Sequence, residues 1–451
     1  EEISRAEREE SNTWSFRGFR VRPGGTTRNL VRRLIKGTRK LGPRIIYGPG
    51  AEARTRFALV HFPEPGSDPS TTGIGLTFHG HAVLPMQPAD GNAEIPPVMP
   101  GSALYLTFPE HGPKLLRRIA SHRKADTERI VSRLHSLAES MHREPTSTIT
   151  DTAHASAQIH SRPGAGVLTS GSLAWQASMG LAAGLAGRPW IAIVDRVAGP
   201  DLHLLANATW ALAGAKLVIA RSQKIAELLI DARVPAGNIV VDPVEPAADL
   251  FSGRQAPGLV VAFGDFESPW IWDYCISAFL LAAQSGLKLH VVGSVRPDNP
   301  GSLAAEFLAR KTAERDPKRV TVDSYDVRQD EWRRILATDA PKALVWVPPA
   351  EQCTSAPHPA LLAAMKQEIP ILAVDCPTAS GVFGSLGLRT WIRRTGVLET
   401  AEMFRTQWAG EGLSEFERSM LRTSLVPFLD PRARQAASDR IKAAMQEALE
   451  Q

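Results

Sequence analysis

Leu259-Val260-Val261-Ala262-Phe263-Gly264-Asp265 is an apolar run that closes on a glycine and an acid. A short run of this kind, rich in β-branched residues and bounded by a turn signal, reads as a strand buried on both faces. The pattern then repeats. A helix-length stretch around 270–285 leads to Leu287-Lys288-Leu289-His290-Val291-Val292-Gly293, which again ends in glycine. A helix near 301–314, the strand Val320-Thr321-Val322 and a helix near 328–338 follow. Ala343–Val347, a helix near 357–367, Ile371–Val374 and a mainly helical tail from 399 complete the series. Strands that alternate with helices make an α/β chain with a parallel sheet.

The same grammar runs through the preceding half. Phe57–Phe62, Gly75–His79 and Ser102–Phe108 are strand-like, and 111–143 has helical periodicity. Val167-Leu168-Thr169 enters a small-residue helix, and Trp190-Ile191-Ala192-Ile193-Val194 is a buried strand. A helix around 201–213, the strand Lys216–Ala220, a helix from Ser222 to Ala232 and Ile239-Val240-Val241 close this half. Between the halves, Asp242 to Gly258 is rich in proline, acid and glycine, the composition of a hinge. The expected organisation is a basic N-terminal arm over 1–55, a Rossmann-like domain over 56–245, a second over 257–430, and a C-terminal helix over 431–451 that returns to the first. Ligands of such sheets sit beyond the carboxyl ends of the strands, here in the cleft between two facing domains.

Composition excludes several classes. With 43% hydrophobic and 22% charged residues over 451 positions, the chain has material for real cores and is neither disordered nor a disulfide-stapled scaffold. Cys275, Cys353 and Cys376 are far apart and form no CxxC pair, so no disulfide framework or zinc site is encoded and a reducing cytoplasm is expected. No signal peptide is visible, and the uncharged stretch Pro163–Gly187 is too rich in Gly, Ser, Thr and Gln for a membrane span. It reads as strand, loop and buried helix. His61, His79 and His81 lack acidic or thiol partners at ligand spacing, so no metal is expected. There is no nucleophile elbow, phosphate loop or dinucleotide fingerprint.

The net charge of +5 is unevenly distributed. Arg17, Arg20, Arg22, Arg28, Arg32, Arg33, Lys36, Arg39, Lys40 and Arg44 follow one another without an acid, around a short apolar stripe at Leu30, Val31, Leu34 and Ile35. The arm is either solvated or docked on its own domain, or it meets anionic lipid or a protein partner. Nucleic acid is not expected, since no aromatic residues are interleaved for stacking.

From about 150 to 430 the order of elements resembles the retaining glycosyltransferases of the GT-B fold, the family-four group. The stretches that carry this are Ala220-Arg221-Ser222-Gln223, Val234–Pro243, Val261–Asp265, His290–Gly293, and Pro357–Met365 with Ile369–Ala373. The resemblance implies transfer of a sugar from a nucleotide-sugar donor to a glycan, lipid or protein acceptor, with no cofactor and no metal. Peripheral contact with the inner membrane face through the arm would go with it. It implies donor contacts at Gly264, Gly293, Ser355 and His358, with Glu351 standing in for the family carboxylate through a reshaped loop and Arg221 and Lys224 supplying the charge for the diphosphate that the Gly264 turn lacks. It places Asp195 at the reactive carbon and Arg196 on the acceptor side. Backbone N–H groups at glycine turns and helix starts suit a diphosphate, and a cation neutralises it as it leaves. Where the family carries two glutamates this sequence has Ser355 and Ala363, and where it carries a basic pair it reads Asp265-Phe266-Glu267. The alternative is therefore an inactive relative that serves as a binding or scaffolding subunit. Trp270, Trp272 and Tyr274 are expected in core or domain-interface packing.

Overall fold

The computed structural model describes residues 14–16, 19–21, 44–48, 58–65, 74–75, 77–91, 101–198, 212, 214–253, 255–267, 269–282, 286–296, 299–327, 331–337, 340–347, 353–374, 392–393, 396–409 and 413–450. The basic stripe around Leu30–Ile35, most of the helix expected at 201–213, and Glu351 lie outside the described residues.

Two sheets carry the fold. The first contains β1 (Trp14–Phe16), β2 (Phe19–Val21), β3 (Arg44–Tyr47), β4 (Leu59–Pro63), β5 (Thr77–Phe78), β6 (His81–Asp90), β7 (Ala103–Thr107), β8 (Gly166–Ser170), β9 (Trp190–Val194), β11 (Leu217–Ala220) and β12 (Ile239–Val241). β10 (Arg196–Ala198) stands outside it. The strand order is β12-β11-β9-β8-β4-β6-β7-β3-β1-β2, parallel from β12 through β7 and antiparallel beyond, with β5 on β6. The segment expected to stand apart as an arm thus lends three strands to the sheet edge. β3 lies antiparallel on β7, pairing Ile46 with Leu104, and this satisfies backbone groups the edge would otherwise expose.

Alternate residues of each buried strand face opposite cores. Val60, Val167, Ala192 and Val218 meet α3 (Pro145–His160), α4 (Leu173–Ala186) and α5 (Gln223–Asp231). Leu59, Leu168, Ile191 and Leu217 meet Ala437, Ile441 and Met445 of the C-terminal helix α12 (Pro431–Glu450). That helix returns to the first sheet, and Arg440 donates to the carbonyls of Gly237 and Ile239. The uncharged stretch 163–187 forms β8 and α4, and among the described residues no helix is long and apolar enough to cross a membrane.

The helical periodicity of 111–143 divides into α1 (Gly112–His122) and α2 (Thr127–Ser140). Lys124 adopts a positive φ of 54°, and Asp126 caps the second helix by accepting from Arg129 N–H. α3 has no apolar stripe to announce it: Thr148, Thr150, Asp151, Thr152, His154, Ser156 and Gln158 are all buried.

The second sheet runs β15 (Val320–Asp326), β14 (Lys288–Val295), β13 (Gln255–Asp265), β16 (Ala340–Val347), β18 (Ile371–Val374), β19 (Ile392–Arg393), all parallel. One face packs on α8 (Trp332–Leu336), α9 (Pro359–Lys366) and α11 (Glu415–Leu429). The other packs on α6 (Pro269–Ala282), α7 (Pro300–Ala313) and α10 (Val397–Ala409). Trp272 is fully buried among these, as expected, whereas Trp270 is exposed.

A small ladder links the halves. β10, just past the carboxyl end of β9, pairs antiparallel with β17 (Cys353–Ser355), which precedes α9. Arg196 lies opposite Ser355, and Ala356 N–H donates to the Asp195 carbonyl at 2.6 Å. Ala247 N–H donates to the Pro359 carbonyl at 3.3 Å. Main-chain bonds therefore bring the carboxyl edge of the first sheet onto the start of α9. The chain is α/β, with two Rossmann-like domains facing across a cleft.

Candidate functional site

Strand ends supply the side chains of the cleft. Asp195 follows β9 directly and is buried. Beside it, Glu64 follows β4 and accepts from Ser172 N–H at 2.7 Å and from its hydroxyl at 2.8 Å, while Arg196 Nη2 lies 3.7 Å from the same carboxylate. Ser172 also caps α4, so Glu64 sits where the positive end of that helix favours an anion. The position is visible in the sequence as the residue after a buried strand, the same relation that marks Asp195, yet it was not anticipated.

Arg221, at the end of β11, is almost wholly buried and forms an ion pair with Asp242, at the end of β12. It also donates to the Asp242 carbonyl at 3.1 Å. Burial pushes the Asp242 carboxyl up, but a hydrogen bond with His79 and the charge of Arg221 outweigh this and hold it below the usual range. His79 extends the chain, with Nε2 3.6 Å from Asp242 and Nδ1 3.0 Å from the Ser438 hydroxyl of α12. Arg221, expected to face a diphosphate, is thus engaged by a carboxylate that the expectation did not include. Lys224 is exposed on the first turn of α5 and pairs with Glu227 at 3.2 Å.

Across the cleft, His358 caps α9: its Nδ1 accepts from Ala360 N–H at 3.1 Å. Its ring packs against Phe263 and Trp332, each with centroids 4.6 Å away. Burial, aided by the charge of Arg333, lowers its pKa to about 3, so the acceptor role persists through the neutral range. The histidine side chain is thus committed to capping and to an aromatic cage. Ser355 belongs to the linking ladder.

Gly264 and Gly293 are register partners at the ends of β13 and β14. A Cβ at Gly264 would stand 1.7 Å from the Val347 carbonyl oxygen, and one at Gly293 would stand 2.2 Å from the Phe266 ring. Sheet packing alone therefore requires both glycines. At this turn Asp265 accepts from the Ser294 hydroxyl, and Glu267 pairs with Arg296 at 3.0 Å. Arg296 is a cation that the sequence reading missed, because it follows β14 and does not belong to the turn itself.

The structure thus gathers Asp195, Arg196 and Ser355, and sets His358 against Phe263, the neighbour of Gly264. His61 Nε2 lies 2.8 Å from the Ser170 hydroxyl, and His79 is held by Asp242 and Ser438. Among the described residues no three His, Cys, Asp or Glu side chains are grouped to hold a metal ion.

No protein-family model matches the chain. No curated protein sequence matches it. Solved structures do match its fold. HepE of Anabaena, in complex with UDP, is 14% identical and covers 85% of this chain and 99% of its own, with a TM-score of 0.54. The α,α-trehalose 6-phosphate synthase of Burkholderia multivorans is 11% identical and covers 87% of this chain and 99% of its own, with a TM-score of 0.51. Both are GT-B glycosyltransferases, and the chain has the GT-B fold.

Proposed function

We propose that the chain is a glycosyltransferase that moves a sugar from a nucleotide-sugar donor to a hydroxyl-bearing acceptor. The observation that carries this is the apposition of Asp195 and Arg196 against Ser355 and the start of α9, on a fold shared with a structure solved with UDP. Fold alone does not assign chemistry, so the weight falls on this meeting of strand end and helix start. The donor is read as lying along the carboxyl edge of the second sheet, past Gly264 and Gly293, with its reactive carbon toward Asp195 and its diphosphate toward α9. Arg196 lies on the acceptor side. Arg221 is held by Asp242 in a buried pair, whereas Lys224 is held only by an exposed pair with Glu227, so this role is read for Lys224, on a helix that lies against β17. Retention of configuration rests on the sequence resemblance around Pro357–Met365. The activated group arrives on the donor, so no resident cofactor is invoked.

A second reading has its own support. Arg196, Arg221 and Arg296 each face a carboxylate, which is the arrangement of a binding subunit that no longer neutralises a leaving group. Calorimetric titration with uridine, guanosine and adenosine diphosphates separates binding from turnover. One of them is expected to bind at millimolar concentration or below, and Asp195→Asn should cut turnover of the matching nucleotide-sugar about 100–1000-fold, the range seen when a single electrostatic transition-state contact is removed. Binding without turnover in the wild type selects the scaffold, and absence of all three heats removes the transferase reading.

A further inference from the structure

On the surface of the second domain cations face carboxylates: Lys311 pairs with Glu314, Arg405 with Glu402 and Arg422 with Glu368. The helix pair α1–α2 of the first domain departs from this. Between Gly112 and Arg133 there are seven lysines and arginines against two acids, Asp126 and Glu128. Both acids sit at the start of α2, where its dipole favours them. Lys114, Arg117, Arg118, Lys124 and Arg129 are exposed, and none of them pairs with an acid among the described residues. Local structure gains nothing from this charge. Lys114 lies in the first turn of α1, which holds no acid and whose dipole disfavours a cation. Lys114 with Arg118, and Arg129 with Arg133, are like charges four residues apart, a spacing that weakens a helix. The face is still held firmly. Leu116 and Ala120 of α1 share one core with Leu134 and Leu137 of α2. Arg123, in the turn between the helices, donates to the Ala186 carbonyl at the end of α4 at 2.7 Å.

We propose that this face docks the chain on an anionic lipid surface, with Lys114, Arg117, Arg118, Lys124 and Arg129 against the headgroups. What lies between the cations favours lipid over other anions. Leu115, Ile119 and Val131 are only partly buried at the margin of the shared core, so apolar surface borders the charge. That combination is the pattern of a helix lying in a membrane interface, where anionic headgroups attract the cations and the acyl boundary takes the apolar atoms. A nucleic acid would find the charge but no stacking surface, because no Phe, Trp or Tyr lies between Gly112 and Ser140. The face is distinct from the N-terminal arm, where lipid contact was expected and whose Arg44 belongs to β3. α1 starts just after β7, so the face begins at the carboxyl edge of the first sheet and runs to the end of α4. The inference does not depend on the transfer reading.

Co-sedimentation of the full chain with vesicles tests this. One set is phosphatidylcholine alone, and the other contains one third phosphatidylglycerol. Binding is expected to the anionic set only. It should fall at least tenfold between about 0.1 M and about 1 M salt, as the screening length drops from about 10 Å to about 3 Å. The variant Lys114→Gln/Arg117→Gln/Arg118→Gln/Lys124→Gln should lose at least tenfold in binding at the lower salt. Its denaturant midpoint should not fall below wild type, since these side chains have no acidic partner to lose among the described residues. Arg118→Gln/Arg129→Gln, one change on each helix, should lose about threefold and keeps the test decisive should the fuller variant not fold. Arg32→Gln/Arg33→Gln/Lys36→Gln in the arm should bind as wild type does. Equal binding to both vesicle sets, binding to neither, or a loss confined to the arm variant overturns the proposal. A labelled oligothymidylate or polyglutamate that binds more tightly than the anionic vesicles, and loses that binding in the helix variants, also overturns it, because the face then serves a nucleic acid or an acidic protein.

Discussion

Gly264→Ala is expected to lower stability by about 3 kcal/mol or more, a value at or beyond the upper end of ordinary overpacking. The new methyl group would stand 1.7 Å from the Val347 carbonyl oxygen, and that oxygen belongs to a backbone paired in register with β13, so no rotamer change relieves the contact. β13 would have to separate from β16 at its carboxyl end, beside His358 and the start of α9. Gly293→Ala should cost less, because the obstacle is the Phe266 side chain, although that ring is fully buried against Trp272. Gly184→Ala is the control: nothing lies within 4 Å of its Cβ position, and it sits inside α4, where alanine should stabilise by up to about 1 kcal/mol. Denaturant midpoints of the three variants check the ranking. A Gly264→Ala midpoint equal to wild type would show that the strand end yields at no cost.

Arg221→Met should destabilise the first domain by about 3–5 kcal/mol, the range for removing one partner of a buried ion pair. Among the described residues, its mate Asp242 would keep the more distant His79. The double variant Arg221→Met/Asp242→Leu should recover most of the loss, because an apolar pair of similar volume leaves no stranded charge. The pair also gives a pH dependence with a definite sign. Asp242 is held below the usual carboxylate range in the folded chain, so its contribution is complete above the ordinary carboxylate range. It disappears as pH falls through the lowered value. Acid unfolding of the double variant should accordingly be shallower than that of wild type, and an unaltered profile would remove the pair from the account. A variant at Arg221 therefore tests architecture before it tests catalysis, and loss of turnover there does not by itself identify a cation of the leaving group.

The alternation of strands and helices was legible in residues such as Trp190–Val194 and Val260–Phe263. Strands covered on both faces must be apolar throughout, and that property can be read locally. The return of α12 gives the first sheet its second cover, at Leu59, Leu168, Ile191 and Leu217. α3 escaped notice for the opposite reason: its burial rests on threonine, serine, histidine and aspartate, which carry no hydrophobic period. β3 was hidden because Arg44–Tyr47 becomes a strand only beside β7.

Within the site the division is sharper. Asp195, Arg196, Ser355 and His358 were recognisable as residues that follow a strand or precede a helix, since position along an element is a property of the chain. Their partners were not. Arg221 meets Asp242 because β11 and β12 are neighbours, Arg296 meets Glu267 because β13 and β14 are, and Arg196 lies opposite Ser355 because the domains close on one another. The sequence by itself determined which residues stand at the carboxyl ends of the strands and that these ends form the working edge. The tertiary structure alone decided which of their charges neutralise one another, because hydrophobic period is a local property, whereas an ion pair depends on a strand order that brings distant residues within a few ångströms.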